Sequence, residues 1–406
     1  MLCFAEKNAM RRIRLLELLL LLLPVVACDV LESGRLTGRP GKGVDIPGEV
    51  PETGPRFDTC VFVSAVRVSG GYDWRRDVGF EASACSVVLY RDFEVVLTLP
   101  ADGEISPDPD MHHILDGHLY TEYAAWNETV VRRDGQLVAR WAGRERLCGL
   151  WAEGDAVYTL GQNRSGEGFS LRRNGAVLFS RNSGQVVGSL SDASFPRTGA
   201  LCRDAGDFCF FFTDGPAHAR TLHLVRGDRA QQLGTVPIGS SLVDARIVDG
   251  RVYSLALASG RADLCVDGLH GDEGNSPGLS WTDARIFPEP GGVALAGQYV
   301  LDGEAGSGVL HRDGRLERKG GPDCVIYGDG TSFSALDISR STGIGALFYF
   351  FHGGCATYFD SRLYAALSPR NPSEAAMVSC GAQVQRLDLD GYLTGIAVSV
   401  VPAEQP

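Results

Sequence analysis

A sequence pattern that recurs along this chain of 406 residues limits most strongly how it can fold. Each copy has a turn with glycine, an aromatic residue three or four positions later, a polar loop and a second turn with glycine. The spacing from the aromatic residue to the second glycine is 15 or 17 residues, in the pairs Tyr120 and Gly135, Tyr158 and Gly175, Phe210 and Gly227, and Tyr253 and Gly268. Because unrelated hairpins would not keep such a spacing, the pattern indicates a repeated structural unit.

The repeat returns after about 45 residues, which is the length of a β-propeller blade with four short strands. A looser copy covers residues 291–316, a degenerate one begins at residue 325, and residues 60–99 resemble a first unit with a rearranged middle. We therefore predict an all-β fold, a β-propeller of about seven blades over residues 59–406. Six or eight blades would also fit, and a β-sandwich or β-helix is the alternative.

The chemistry of the predicted strands agrees with blades packed side by side. The stretches AVYTL (156–160) and FCFFF (208–212) are apolar at successive positions, as expected for strands covered on both faces. Residues 385–401 are predicted to complete the ring by pairing with the first strands, which would remove an exposed sheet edge.

The first residues predict export and a lipid anchor. Cationic residues at positions 11, 12 and 14 precede an apolar run over 15–24, which is too short to cross a bilayer as a helix. The run ends in Val25-Val26-Ala27-Cys28, which resembles the lipobox of a bacterial lipoprotein precursor. The resemblance implies cleavage before Cys28 and acylation of Cys28, for example with palmitate. An ordinary secretory signal with an incidental cysteine is the alternative.

Three segments follow from this interpretation: a signal peptide over 1–27, a disordered Gly- and Pro-rich tether over 28–58, and the propeller over 59–406. The repeats are also similar to the blades of uncharacterised bacterial lipoproteins, at residues 157–161 (VYTLG) and 171–175 (LRRNG), although a tryptophan of that pattern is missing here. This resemblance implies the fold and anchoring to a bacterial membrane, with the outer membrane or the cell surface favoured. It implies no activity.

Composition and motifs exclude several classes of function. A net charge of −12 without a cationic stripe argues against nucleic acid as a partner. The sequence contains no catalytic signature with a known mechanism and no phosphate loop, so neither a catalytic residue nor a cofactor is predicted. The expected partners are the membrane, through the anchor, and an envelope protein, peptide or glycan.

Polar residues between the predicted second and third strands of successive units should meet on one face of the ring. This set of candidate ligand-binding residues comprises Arg164, Glu167, Asp214, His218, Arg220, Asp263 and Glu304. Groups that converge from several blades suit a binding face, whereas an ordinary solvated rim would have the same composition.

Two segments have metal-binding composition. Asp108, Asp110, His112 and His113 combine oxygen and imidazole ligands, and a solvated loop is the alternative. The stretch 265–275 replaces an expected fourth strand, and His270 stands there next to Asp272 and Glu273; a surface insertion is the alternative.

The sequence does not determine which cysteines form disulfides. Cys202 and Cys209 flank a short turn, so a disulfide between them is feasible. Cys60 with Cys85, and two of Cys324, Cys355 and Cys380, are further pairings, while buried thiols are the alternative.

The leading functional hypothesis is a lipid-anchored envelope propeller that acts as a non-catalytic binding or scaffold module for a protein, peptide or glycan. The alternative is an envelope enzyme of the glycoside hydrolase or lyase type, which would need two carboxylates roughly 5 to 10 Å apart in the central pocket. A scaffold in an envelope assembly complex is a third hypothesis.

Overall fold

The described part of the chain consists mainly of β-strands. The computed structural model describes residues 57–69, 84–102, 104–108, 111–125, 127–165, 167–188, 199–216, 218–270, 276–322, 324–337, 356–368, 375–380 and 383–402. The predicted signal peptide, Cys28 and nearly all of the predicted tether lie outside these residues. No helix within the described ranges is long and apolar enough to span a membrane.

The strands are numbered along the chain. Strands β1–β7 are Phe57–Val68, Cys85–Arg91, Glu94–Pro100, His112–Leu115, His118–Ala125, Glu128–Arg133 and Gln136–Ala142. Strands β8–β16 are Glu145–Glu153, Ala156–Asn163, Phe169–Arg173, Ala176–Arg181, Gln185–Val186, Cys202–Asp204, Asp207–Asp214, Thr221–Arg226 and Arg229–Thr235. Strands β17–β24 are Ser241–Val248, Arg251–Ala258, Arg261–Val266, Leu269–His270, Leu279–Glu289, Gly292–Leu301, Glu304–Leu310 and Leu316–Gly320. Strands β25–β31 are Cys324–Gly328, Phe333–Asp337, Ala356–Phe359, Arg362–Leu367, Ala376–Cys380, Gln383–Leu387 and Gly391–Pro402.

These strands form a β-propeller with seven blades of four or five antiparallel strands. Blade 1 contains β31, β1, β2 and β3; blades 2 and 3 are β4–β7 and β8–β11; blade 4 is β12–β16; blades 5 and 6 are β17–β20 and β21–β24; blade 7 is β27–β30. A two-stranded sheet, β25–β26, follows blade 6. The predicted fold class and blade number are confirmed.

The last strand closes the ring against the first. Strand β31 pairs with β1 from Phe57↔Pro402 to Arg67↔Gly391, and it takes the inner position of blade 1. The predicted closing segment, 385–401, begins too early, since residues 385–387 belong to β30, the outer strand of blade 7. Strand β1 also begins two residues before the predicted boundary at residue 59.

Tight turns explain why glycine recurs in the repeat. Asn174 and Gly175 both have positive φ, 48° and 84°, as a two-residue hairpin turn that follows strand twist requires. The Asn174 side chain accepts a hydrogen bond of 2.7 Å from the backbone N–H of Val157. Asp267 in blade 5 accepts the equivalent bond from Val252 at 2.9 Å. The turn after the third strand therefore holds the start of the second strand, and this local chemistry is repeated from blade to blade.

The aromatic position of the repeat lies in the hydrophobic core. Its members are all buried: Tyr120, Tyr158, Phe210 and Tyr253. The rings of Phe169 and Phe210, from neighbouring blades 3 and 4, pack edge to face with centroids 5.5 Å apart. The second strands β9 and β14 are buried at nearly every position, as predicted for strands covered on both faces.

Candidate functional site

A cavity of about 800 Å³ lies at the inner strands of blades 4, 5 and 6. Strands β12, β13, β17 and β21 contribute to its wall, and inner strands of a propeller surround its central channel. Part of the wall is apolar, with Val186, Val236, Leu242 and Ile247. The volume and the mixed lining are typical of a ligand site.

Two aspartate–arginine pairs stand side by side in the wall of this cavity. Arg246 Nε donates to Asp244 Oδ2 at 3.1 Å on β17, and Arg285 Nη1 donates to Asp283 Oδ1 at 3.0 Å on β21. Residues two apart on a strand project to the same side, so each pair forms within one strand. Asp244 Oδ2 also accepts a hydrogen bond of 2.9 Å from the backbone N–H of Ile286, which joins the two blades.

A β-bulge precedes each pair and sets its position. The register of β17 shifts between Leu242 and Asp244, and that of β21 shifts between Trp281 and Asp283. A bulge changes the direction in which the following side chains project. The same irregularity therefore presents the same Asp-x-Arg pair from two neighbouring blades.

Arg220 is the third arginine of the cavity wall. It lies just before β15, is exposed, and has no ion-pair or hydrogen-bond partner for its guanidinium among the described residues. With Arg246 and Arg285 against Asp244 and Asp283, the wall has three cationic and two anionic groups, a formal charge of +1. This sign is opposite to that of the whole chain, at −12.

Among the seven predicted ligand-binding residues, Arg220 is the one that contributes to this cavity. Arg164 and Glu167 are exposed on the connection from β9 to β10, and His218 is exposed on that from β14 to β15. Asp214 ends β14, and its Oδ2 accepts a hydrogen bond of 3.2 Å from Ser183. Within the described ranges, no hydrogen bond or ion pair joins two members of the predicted set.

Asp263 and Glu304 lie on strands and not on loops, so this part of the prediction was wrong. The connections are two-residue turns at Ser259–Gly260 and Asp302–Gly303, in which both residues have positive φ. Asp263 is the third residue of β19, and Glu304 begins β23, where it forms an ion pair of 3.6 Å with Arg318. Tight turns leave no room for the predicted polar loops.

The histidines of the predicted metal site at 108–113 point to different partners. His112 Nε2 donates to the carbonyl of Ser106 at 2.7 Å, and His112 Nδ1 lies 3.3 Å from Thr394 Oγ1. His113 Nε2 is instead 3.7 Å from Glu122 Oε2. The two imidazoles do not converge, since consecutive strand residues project to opposite faces.

The His112 side chain is buried, and this burial lowers its pKa to about 4. It therefore acts as a neutral partner between blades 2 and 1. Asp108 is exposed, and Asp110 lies outside the described residues. Where the structure describes the chain, this segment contributes no group of three metal ligands.

The cysteines are free thiols wherever the structure describes them, namely Cys60, Cys85, Cys148, Cys202, Cys209, Cys265, Cys324 and Cys380. Cys202 and Cys209 lie directly opposite each other across β13 and β14, as predicted. Their thiols nevertheless point to different carbonyl oxygens, that of Cys209 at 3.3 Å and that of Asp207 at 3.7 Å. The predicted disulfide is therefore absent. Cys355 lies outside the described residues.

A second repeat in the sequence could have indicated the cavity. Asp244-Ala245-Arg246 recurs as Asp283-Ala284-Arg285, a distance of 39 residues that is close to one blade. The four charged residues were missed because the repeat was aligned on second strands, whereas these residues lie on inner strands. Arg220, the fifth charged residue of the cavity wall, lies outside this second repeat because it precedes β15 and is not a residue of an inner strand.

Comparisons with known proteins add no functional information. No protein-family model matches the chain, and no curated protein matches it. Similar solved structures include the dihydro-heme d1 dehydrogenase NirN in complex with DHE (11% identity, 82% of this chain and 74% of that chain, TM-score 0.47). They also include Pyrococcus horikoshii acylaminoacyl peptidase (10% identity, 75% of this chain and 47% of that chain, TM-score 0.35). A nidogen/laminin complex is similar as well (13% identity, 71% of this chain and 99% of that chain, TM-score 0.27). Such low identities and TM-scores carry no argument about activity.

Proposed function

We propose that this protein is a lipid-anchored, non-catalytic binding or scaffold propeller whose protein, peptide or glycan ligand docks in the cavity of blades 4–6. The observation that carries the proposal is the cavity of about 800 Å³ with two Asp–Arg pairs and the unpartnered Arg220 in its wall. An arginine without a partner is available to bind a carboxylate or hydroxyl group of a ligand. The apolar part of the wall would contact the rest of that ligand.

The pairing of the carboxylates favours binding over catalysis. Asp244 and Asp283 line one cavity, so two carboxylates are present where a glycosidase would need them. Each is hydrogen-bonded to an arginine two residues further along its strand. Asp244 also accepts the bond from Ile286 that joins the two blades. These contacts give both carboxylates a positioning role in the wall.

Replacing Arg220 by alanine tests the binding proposal. The full chain is screened on a glycan array and against a peptide display library, and affinities for the recovered ligands are measured by calorimetry. A hydrogen bond to a charged group contributes about 1.5–3 kcal/mol, so Arg220→Ala should weaken binding at least about tenfold. Ser241→Trp, which fills part of the cavity, should have a similar effect.

Arg229→Ala is the matched control, because this arginine is 93% exposed on the outer strand β16. The proposal fails if Arg220→Ala and Ser241→Trp bind the recovered ligands as well as the unaltered chain does. Hydrolysis or elimination of a recovered glycan, abolished by Asp283→Asn, would instead establish the enzymatic alternative.

The lipid anchor is a separate part of the proposal, supported by the sequence Val25-Val26-Ala27-Cys28 after an apolar run. In a bacterial host that acylates lipobox cysteines, the full chain should partition into the detergent phase of Triton X-114, because acyl chains dominate its apolar surface. Cys28→Ser should move it to the aqueous phase. Equal partitioning of both chains would contradict anchoring through Cys28.

A further inference from the structure

Three metal-ligating side chains converge at the outer edge of blade 5, away from the cavity. His270 Nδ1 lies 3.3 Å from Cys265 Sγ and 3.1 Å from Asp263 Oδ1. The three ligand atoms all lie within 4.8 Å of one another. The side chain of Asp263 is 31% exposed and that of His270 59%, so solvent reaches the cluster.

The hairpin β19–β20 brings these residues together by its register. Asp263 and Cys265 are two residues apart on β19 and project to the same side. His270 on β20 is the direct cross-strand partner of Cys265. The turn between the strands is held by Asp267, which accepts a bond of 3.0 Å from Arg251. The arrangement is therefore built on paired strands and does not depend on a loop.

Hydrogen bonding alone does not satisfy this cluster. Nδ1 of an imidazole either donates one hydrogen bond or accepts one, so it cannot donate to Asp263 Oδ1 and at the same time accept from the Cys265 thiol. A catalytic Cys–His–Asp arrangement would use both ring nitrogens, one for the thiol and one for the carboxylate. Here both partners approach the same nitrogen, so the geometry does not support a relay.

We propose that Asp263, Cys265 and His270 form a site for a divalent transition-metal cation, with Zn²⁺ as the preferred ion. Thiolate, imidazole and carboxylate are the ligands that zinc takes in proteins, whereas Ca²⁺ and Mg²⁺ prefer oxygen alone. With Zn–N of about 2.0 Å and Zn–S of about 2.3 Å, tetrahedral ligand atoms are roughly 3.4–3.6 Å apart. The two observed distances are within a few tenths of an ångström of these values.

The surroundings of the thiol fit a metal ligand. Ser254 is the direct cross-strand partner of Cys265, and its side chain hydrogen-bonds the thiol. A hydroxyl group that donates a hydrogen bond to the sulfur would orient Cys265 for coordination of a metal ion. Three protein ligands leave one coordination position open to solvent, as in zinc sites that bind a further molecule.

The site is tested by titrating the untagged, reduced full chain with Zn²⁺ alone and measuring the binding by calorimetry. We expect one equivalent to bind, and Asp263→Asn, Cys265→Ser and His270→Ala each to weaken binding at least about tenfold. Cys202→Ser and His218→Ala, which remove another partly buried cysteine and another exposed histidine, should leave binding unchanged.

Co²⁺ provides an independent readout, since a cobalt–thiolate bond gives a charge-transfer absorption band. This band should appear with the unaltered chain and disappear in Cys265→Ser, while thermal unfolding by circular dichroism confirms that the variants are folded. The proposal is overturned if no stoichiometric Zn²⁺ binds, or if the three variants bind as the unaltered chain does.

Discussion

Removal of strand β31 by ending the chain after Asp390 is expected to abolish cooperative folding. The deletion removes the inner strand of blade 1, which pairs with β1 along its whole length. Tyr392, Leu393 and Ile396 of this strand are buried, and each such side chain contributes about 1.5–3 kcal/mol. The sum is comparable to the net stability of a typical domain, roughly 5–15 kcal/mol. Urea unfolding followed by circular dichroism should show no cooperative transition.

A point variant makes this effect measurable in a folded chain. Leu393 is fully buried, so Leu393→Ala should lower the free energy of unfolding by about 2–5 kcal/mol. Val400→Ala, on the same strand but 53% exposed, should change it by less than about 0.5 kcal/mol. A chain ending after Pro402 keeps β31 and should unfold as the full chain does. An unchanged midpoint after removal of β31 would refute its role in ring closure.

Replacement of Arg172 is expected to give the largest loss of stability from a single charged residue. Its guanidinium forms a bidentate ion pair with Glu145, including a bond from Nη2 to Oε1 of 2.8 Å. The side chains are only 7% and 5% exposed. Arg172 also stacks on Trp141 of blade 2, with 4.6 Å between the guanidinium carbon and the ring centroid. Arg172→Met leaves the Glu145 carboxylate buried and unpaired, and should lower the free energy of unfolding by about 3–5 kcal/mol.

Two companion variants separate this cause from general disruption. Arg173→Ala removes the next residue of β10, which is exposed and lies over the ring of Tyr158 at 5.7 Å, so the loss should be about 1 kcal/mol or less. In the double variant Glu145→Leu with Arg172→Met, no charge remains buried, and part of the loss should be recovered. Equal losses in Arg172→Met and Arg173→Ala would contradict the explanation.

The blade architecture could be predicted because its signals are local. Turns such as Asn174–Gly175 need residues that accept positive φ, and the buried aromatic position of each second strand keeps a constant distance from such a turn. These preferences act within about 20 residues of chain, and they return with each blade. The closing strand could also be placed approximately, since an apolar segment at the end of a ring has one edge left to pair with.

The candidate sites could be predicted only in part. Arg220 was recognised as a polar residue after a second strand, and the structure places it in the cavity wall. The loops expected around Asp263 and Glu304 are absent because two-residue turns connect those strands. Asp263 instead lies beside Cys265 and His270, a combination that depends on which residues face each other across β19 and β20.

The sequence by itself determined the repeated unit, its turns and its buried aromatic residues, because these depend on backbone preferences and hydrophobic spacing within one blade. Only the tertiary structure decided which distant groups meet: Asp244 with Ile286 of the next blade, Arg172 with Glu145 of the same blade, and Arg220 with the cavity. The physical reason is that these contacts depend on strand register, on the bulges of β17 and β21, and on the packing of one blade against the next. These relations join residues that are distant in the chain, and no local preference encodes them.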